Sequence, residues 1–292
     1  MLLNEVIGRV YAFKKFVEEC ENVLKDFEKT CNCHAVPMFF GVHRYITASV
    51  VDSVFTVLSE ADLSGDVGVI LFSGGGDIDE AYIIANYLQD IVSGKLTVYV
   101  PRYAKSAATL IACAGDEVVM LPVAELGPID PVLHDPKTDR YVPLQSILEV
   151  VDLLARKNVP REIVREFVDR LPVIELGDYA RAVDHNIELA AKILAKRMFK
   201  QNPNKAKEVA RKLASYKQHS AAITPHDAQE IGLKVRKANQ QETKQLWKIH
   251  ALWYKHIIRA EYDFKDSETE AVEFKLWKGI IATITPQEII ER

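Results

Sequence analysis

The chain has 292 residues, 48% hydrophobic and 27% charged, which is ample for a buried core and excludes a disordered polypeptide. Its 37 Lys and Arg against 41 Asp and Glu leave a formal charge of −4, scattered along the chain, so no footprint for nucleic acid or an anionic membrane is expected. No stretch reaches the roughly 18 consecutive apolar residues of a membrane span, and Met1–Glu5 lacks the basic and apolar regions of a secretory signal, which predicts a cytoplasmic chain.

From the start, Val6, Val10, Phe13, Val17, Cys20, Leu24 and Phe27 recur at helical steps and predict an amphipathic helix over residues 2–29. The four cysteines are too few for a disulfide framework, and Cys31-Asn32-Cys33-His34 lacks a second ligand pair, so no metal site is expected. A strand at about 36–40 and a helix at about 47–60 follow. The apolar run Val67–Phe72 then reads as a buried strand, with Gly74, Gly75 and Gly76 directly after it and a helix from Ile78. Leu96–Val100 is the next strand. Pro101 ends it, and Ser106 opens a small-residue helix through Ala107, Ala108 and Ala112 to Gly115, before the strand Asp116–Met120. Alternation of this kind predicts a parallel sheet with right-handed crossovers. Residues 143–215 read as helical, broken near Pro160, Pro172–Gly177 and Pro203. Residues 240–260 form an aromatic helix, and 271–275 with 279–284 form a β-hairpin.

Two of these turns carry chemistry. Successive glycines let backbone N–H groups turn outward at the positive end of a helix, which suits a developing oxyanion. Ser106 is placed at a helix start, where a serine either caps the helix or presents a nucleophilic hydroxyl. Tiny Ala107 and Ala108 beside it allow a substrate carbonyl to approach, with the Ala107 N–H and the Gly75–Gly76 loop as oxyanion donors.

The strand, Gly-rich loop, helix, strand and Ser-opened helix resemble the Clp protease and crotonase superfamily. The run from Pro101 through Leu126-Gly127-Pro128-Ile129-Asp130-Pro131 is most similar to the serine dehydrogenase proteinase family, a relative of signal peptide peptidase A. His219, Ile223, Thr224, Ala228, Gly232, Leu233 and Val235 resemble that family's late histidine loop, helix and closing strand. Phe72-Ser73-Gly74-Gly75-Gly76 departs from the family's His-Thr-Pro-Gly-Gly. The resemblance spans residues 35–236 and divides the chain into an N-terminal amphipathic helix (1–34), a Clp/crotonase-like α/β spiral with a helical lobe (35–236), and a C-terminal helix-and-hairpin appendage (237–292).

The resemblance implies a serine peptidase without cofactor, acting on a peptide or protein substrate and assembled as a homo-oligomer. It implies that Ser106 forms the acyl-enzyme, with Gly76 and Ala107 holding the oxyanion. For the base two readings stand. His219 acts with Asp130, in a triad whose order along the chain is Ser, Asp, His, or a desolvated Lys157 does the work. His134 is a spare candidate, Lys137 the weaker lysine, and Lys105 reads as a substrate or subunit contact. A crotonase-type acyl-CoA enzyme and a catalytically silent oligomeric scaffold are the alternative functions of the same fold.

Overall fold

The computed structural model describes residues 2–41, 45–135, 140–143, 160, 162, 165, 173–258, 269–276 and 279–286. Lys137 and Lys157 lie outside these residues.

Seven strands form the central sheet, in the order β10-β11-β1-β2-β3-β5-β9. In chain order these are β1 (His34–Phe40), β2 (Val67–Phe72), β3 (Leu96–Val100), β5 (Glu117–Met120), β9 (Val235–Lys237), β10 (Thr269–Leu276) and β11 (Gly279–Pro286). Pairing is parallel throughout except between β10 and β11. Every residue of β2 and β3 is buried, as expected of central parallel strands covered on both faces. That is why both read as continuous apolar runs and not as alternation.

Helices cover the sheet. The first, α1 (Leu2–Cys31), buries Phe16, Cys20, Val23, Leu24 and Phe27 on one face, with Phe27 edge-on to Tyr99 of β3 at 4.9 Å. Helices α2 (Ala48–Ser59) and α3 (Ile78–Ile91) form the crossovers into and out of β2, and α4 (Ala107–Ala112) follows β3. Asp77 caps α3 by accepting from the N–H groups of Asp79 and Glu80.

Three features differ from the expectation. Two short strands, β4 (Tyr103–Ala104) and β6 (Glu125–Leu126), pair in parallel beside the main sheet. They are too short to show periodicity. A hairpin of β7 (Val132–Asp135) and β8 (Arg140–Pro143) replaces the loop around His134, whose side chain lies outside the described residues. Helix α5 (Val173–Lys196) runs through Gly177, so the predicted break does not reach that glycine. The lobe continues with α6 (Pro203–Ala214) and the short α7 (Pro225–Glu230), capped by reciprocal Thr224–Asp227 hydrogen bonds.

The C-terminal residues join the same sheet, β11 lying parallel to β1. Ahead of that hairpin, α8 (Gln240–Trp253) packs Trp253 against Phe16 and Phe39 at 5.6 Å. It is fixed by a bidentate pair in which Arg236 of β9 meets the buried Glu242 carboxylate with both N···O distances 2.7 Å. Burial alone would raise the Glu242 carboxyl, but the Arg236 hydrogen bonds, the Asn239 backbone N–H and the charges of Arg236 and Lys95 outweigh it and hold it below the usual range. Arg236→Ala leaves that carboxylate buried without its partner and is expected to cost about 2 kcal/mol in urea unfolding near neutral pH. Because the folded value is depressed, this contribution is complete above roughly pH 4.5 and is lost as the pH falls through the folded value. The gap between the two proteins should therefore close in acid. A gap that stayed constant down to about pH 2 would count against the pair as its source.

Candidate active site

The loops after β2, β3 and β5 meet at the C-terminal ends of these parallel strands, where open α/β sheets bind their ligands. Ser106 ends the second loop. Its backbone sits at φ +50° and ψ −123°, a conformation L-residues seldom adopt, and its side chain makes no capping hydrogen bond to α4. The capping role open to a serine at this position is therefore not the one it takes. A non-glycine residue held so costs on the order of 1–3 kcal/mol, and such strain gathers where a nucleophile must be lifted out of a strand-to-helix turn.

Two glycines make room for it. A methyl group at Gly75 would lie 2.9 Å from Ser106 Cβ and 2.8 Å from Lys105 O, and one at Gly127 would lie 3.0 Å from Ser106 N. Gly75 has φ +109° and donates its N–H to the buried Ser73 Oγ at 3.1 Å. Gly76, at φ +150°, is pinned against Ile46: the Ile46 N–H donates to Gly75 O, and the Asp77 N–H donates to Ile46 O, each at 2.9 Å. Ala107 is the first residue of α4, so its N–H belongs to the donors that a helix leaves unpaired within itself.

Gly75→Ala is expected to lower stability by about 1–3 kcal/mol and the reactivity of Ser106 by roughly a hundredfold, since the added methyl group pushes directly on Ser106. The rate of Ser106 modification by a fluorophosphonate and the urea midpoint, measured on one preparation, check both. Unchanged reactivity would show that this contact does not set the hydroxyl's position.

His219 and Asp130 are in contact with each other. His219 lies in the turn Gln218–Ala221, closed by the Ala221 N–H donating to Gln218 O at 3.0 Å, and its Nδ1 is 2.9 Å from Asp130 Oδ1. Asp130 is 6% exposed, and its Oδ2 is buried without a hydrogen-bond partner among the described residues. A carboxylate only accepts, so Nδ1 is the donor in this contact and Nε2 is the ring nitrogen left outside it. The pair that the sequence joined across 89 positions is thus in contact.

The Asp130 backbone is equally fixed: the Ile129 N–H donates to Leu213 O at 3.1 Å, and Ile129 O accepts from Asn186 Nδ2 at 2.7 Å. Leu126 and Ile223 exchange both backbone hydrogen bonds, which binds the histidine loop to the segment carrying Gly127 and Asp130. Thr109 Oγ1, fully buried, lies 2.8 Å from Ala104 O and Gly127 O and accepts the Gly127 N–H at 3.0 Å.

Ser73, Thr109 and Asn186 were not singled out in the sequence. Ser73 directly follows an apolar strand, whereas Thr109 and Asn186 lie inside helices, where nothing in the sequence marks their burial. His250 of α8 lies 5.3 Å from the Phe72 ring, behind the glycine loop. Burial, and secondarily the charge of Arg102, hold it down to about 4. It is therefore neutral in the physiological range and adds no titration there.

The chain matches the family of ClpP-like SDH-type serine proteinases over residues 28–261. Two uncharacterized proteins of Methanocaldococcus jannaschii are similar in sequence. MJ0137 is 27% identical over 219 residues, covering 75% of this chain and 68% of its own length. MJ1495 is 25% identical over 241 residues, covering 80% and 76%. Among solved structures, a serine-to-alanine mutant of the 1510-N membrane-bound stomatin-specific protease aligns with a TM-score of 0.45 at 18% identity, over 72% of this chain and 83% of that one. A lysine-to-alanine mutant of that protease, in complex with a substrate peptide, aligns with a TM-score of 0.44 at 16% identity, over 88% and 94%.

Proposed function

The chain belongs to the ClpP-like SDH-type serine proteinases, and on that premise we propose that it hydrolyses peptide bonds through an acyl-enzyme on Ser106. The observation that carries this reading is Ser106 itself, a non-glycine residue at φ +50° whose hydroxyl does not cap the helix it precedes. His219 Nε2 takes the hydroxyl proton as Oγ bonds to the scissile carbonyl carbon, and Asp130 holds the ring and balances its charge. The Gly76 and Ala107 N–H groups receive the oxyanion. As the C–N bond breaks, the proton passes to the leaving amine. Water then cleaves the ester by the same steps in reverse roles.

The substrate in this reading is an unstructured peptide or protein segment. Incubation with blocked, unstructured peptides should release new amino termini, and a sulfonyl fluoride should stop the release while a chelator does not. Cleavage of acyl thioesters with no cleavage of peptides would favour the crotonase-type alternative. Lys157 as base remains the competing mechanism and is separated from His219 by mutation.

Assembly as a homo-oligomer belongs to the same proposal. It is supported by the outward pairing of Phe55, 57% exposed on α2, with Tyr87 of α3 at 5.5 Å. Sedimentation at micromolar concentration should show an oligomer, and a clean monomer would remove this part of the proposal.

A further inference from the structure

Lys105 immediately precedes Ser106, and its side chain turns inward. It is 20% exposed, its stem lies against Gly127, and its Nζ donates to Ala221 O at 3.1 Å and meets Glu125 Oε2 at 3.2 Å. A lysine on a surface loop keeps its ammonium in water, and one that contacts a substrate or a second subunit points outward. This one does neither.

Its acceptor is informative. Ala221 is the last residue of the turn that carries His219, and its own N–H closes that turn on Gln218 O. The turn is thus held at three points: His219 Nδ1 on Asp130, Ile223 on Leu126, and Ala221 O on Lys105. Asp130 and Leu126 both lie on the segment after β5. Of these three, only the Lys105 contact runs from the histidine turn to the residue bonded to Ser106. Its backbone is anchored as well, the Lys105 N–H donating to Ser73 O at 3.0 Å, at the head of the glycine loop.

We infer that Lys105 is a positioning residue for catalysis, a charge-assisted tie that fixes the distance between the Ser106 hydroxyl and the His219 imidazole. This rests on the reading of His219 as the base. Glu125 holds the ammonium in place from β6, which itself pairs with the strand leading into Lys105. Loss of the tie leaves both catalytic groups present and their separation unset, and misplacement of about an ångström costs on the order of a hundredfold in rate.

The test is a double-mutant cycle on the rate of fluorophosphonate labelling, with wild type, Lys105→Met, His219→Ala and the double variant. Lys105→Met should slow labelling by roughly ten- to a hundredfold with the histidine present and by less than about twofold in its absence, since a tie to a missing base has nothing left to position. Glu125→Gln, which keeps the lysine but removes its counter-charge, should give an intermediate loss, and it carries the test if Lys105→Met does not fold.

The outcomes separate the two claims. Equal labelling of wild type and His219→Ala would overturn His219 as base, and this inference with it. A large effect of His219→Ala beside no effect of Lys105→Met or Glu125→Gln would overturn the positioning role alone. Equal slowing by Lys105→Met in both backgrounds would make Lys105 a structural residue that does not act through the histidine.

Discussion

Ser106→Ala is expected to remove peptide hydrolysis, lowering kcat/KM by between about 10³- and 10⁶-fold, because an oxyanion hole without a nucleophile retains only the weak catalysis of binding and charge stabilisation. Stability should move the other way once the strain is released. At φ +50° a serine is held where glycine rests without cost, so Ser106→Gly should be as inactive as Ser106→Ala and should unfold at higher urea concentration, by about 1 kcal/mol after the added chain entropy is deducted. Residual cleavage within tenfold of wild type in both variants would place the nucleophile elsewhere.

Asp130→Asn carries the second large effect. The substitution keeps the shape of the buried side chain but ends its acceptor-only character, so the amide can present a donor to Nδ1 and leave the hydrogen on Nε2, the wrong face for a base. A loss of about 10⁴-fold in kcat with a folded protein is expected, and His219→Ala should match it within an order of magnitude. If both variants stay within a few-fold of wild type while Lys157→Met abolishes turnover, the lysine mechanism replaces the histidine one. His250, neutral in the physiological range, adds no titration of its own to such a series.

Much of this arrangement was legible in the chain because its signals are local. Val67–Phe72 reads as a buried strand and Leu96–Val100 as a second strand, as both are, and Gly74–Gly76 and Ser106 punctuate them at the ends where the loops converge. The His219–Asp130 contact was open to prediction because it rests on two short loops, each resembling a known pattern. Other parts depend on partners that sequence does not name. The hairpin of β10 and β11 shows its own pairing in alternation, but nothing in it says that β11 lies along β1. The two-residue strands β4 and β6 have no periodicity to read. The contacts of Lys105 within the chain are not legible in the sequence: its inward turn follows from Gly127 making room and from Glu125 and Ala221 standing where its ammonium ends.

The most direct measurement is to react the protein with a fluorophosphonate, digest it and locate the adduct by mass spectrometry. Stoichiometric modification of Ser106 Oγ in the wild type, absent from Ser106→Ala and strongly slowed in Asp130→Asn, is the expected result. No adduct, or one on another residue that persists when Ser106 is replaced, would contradict a nucleophilic Ser106 and leave its strained backbone without a catalytic role.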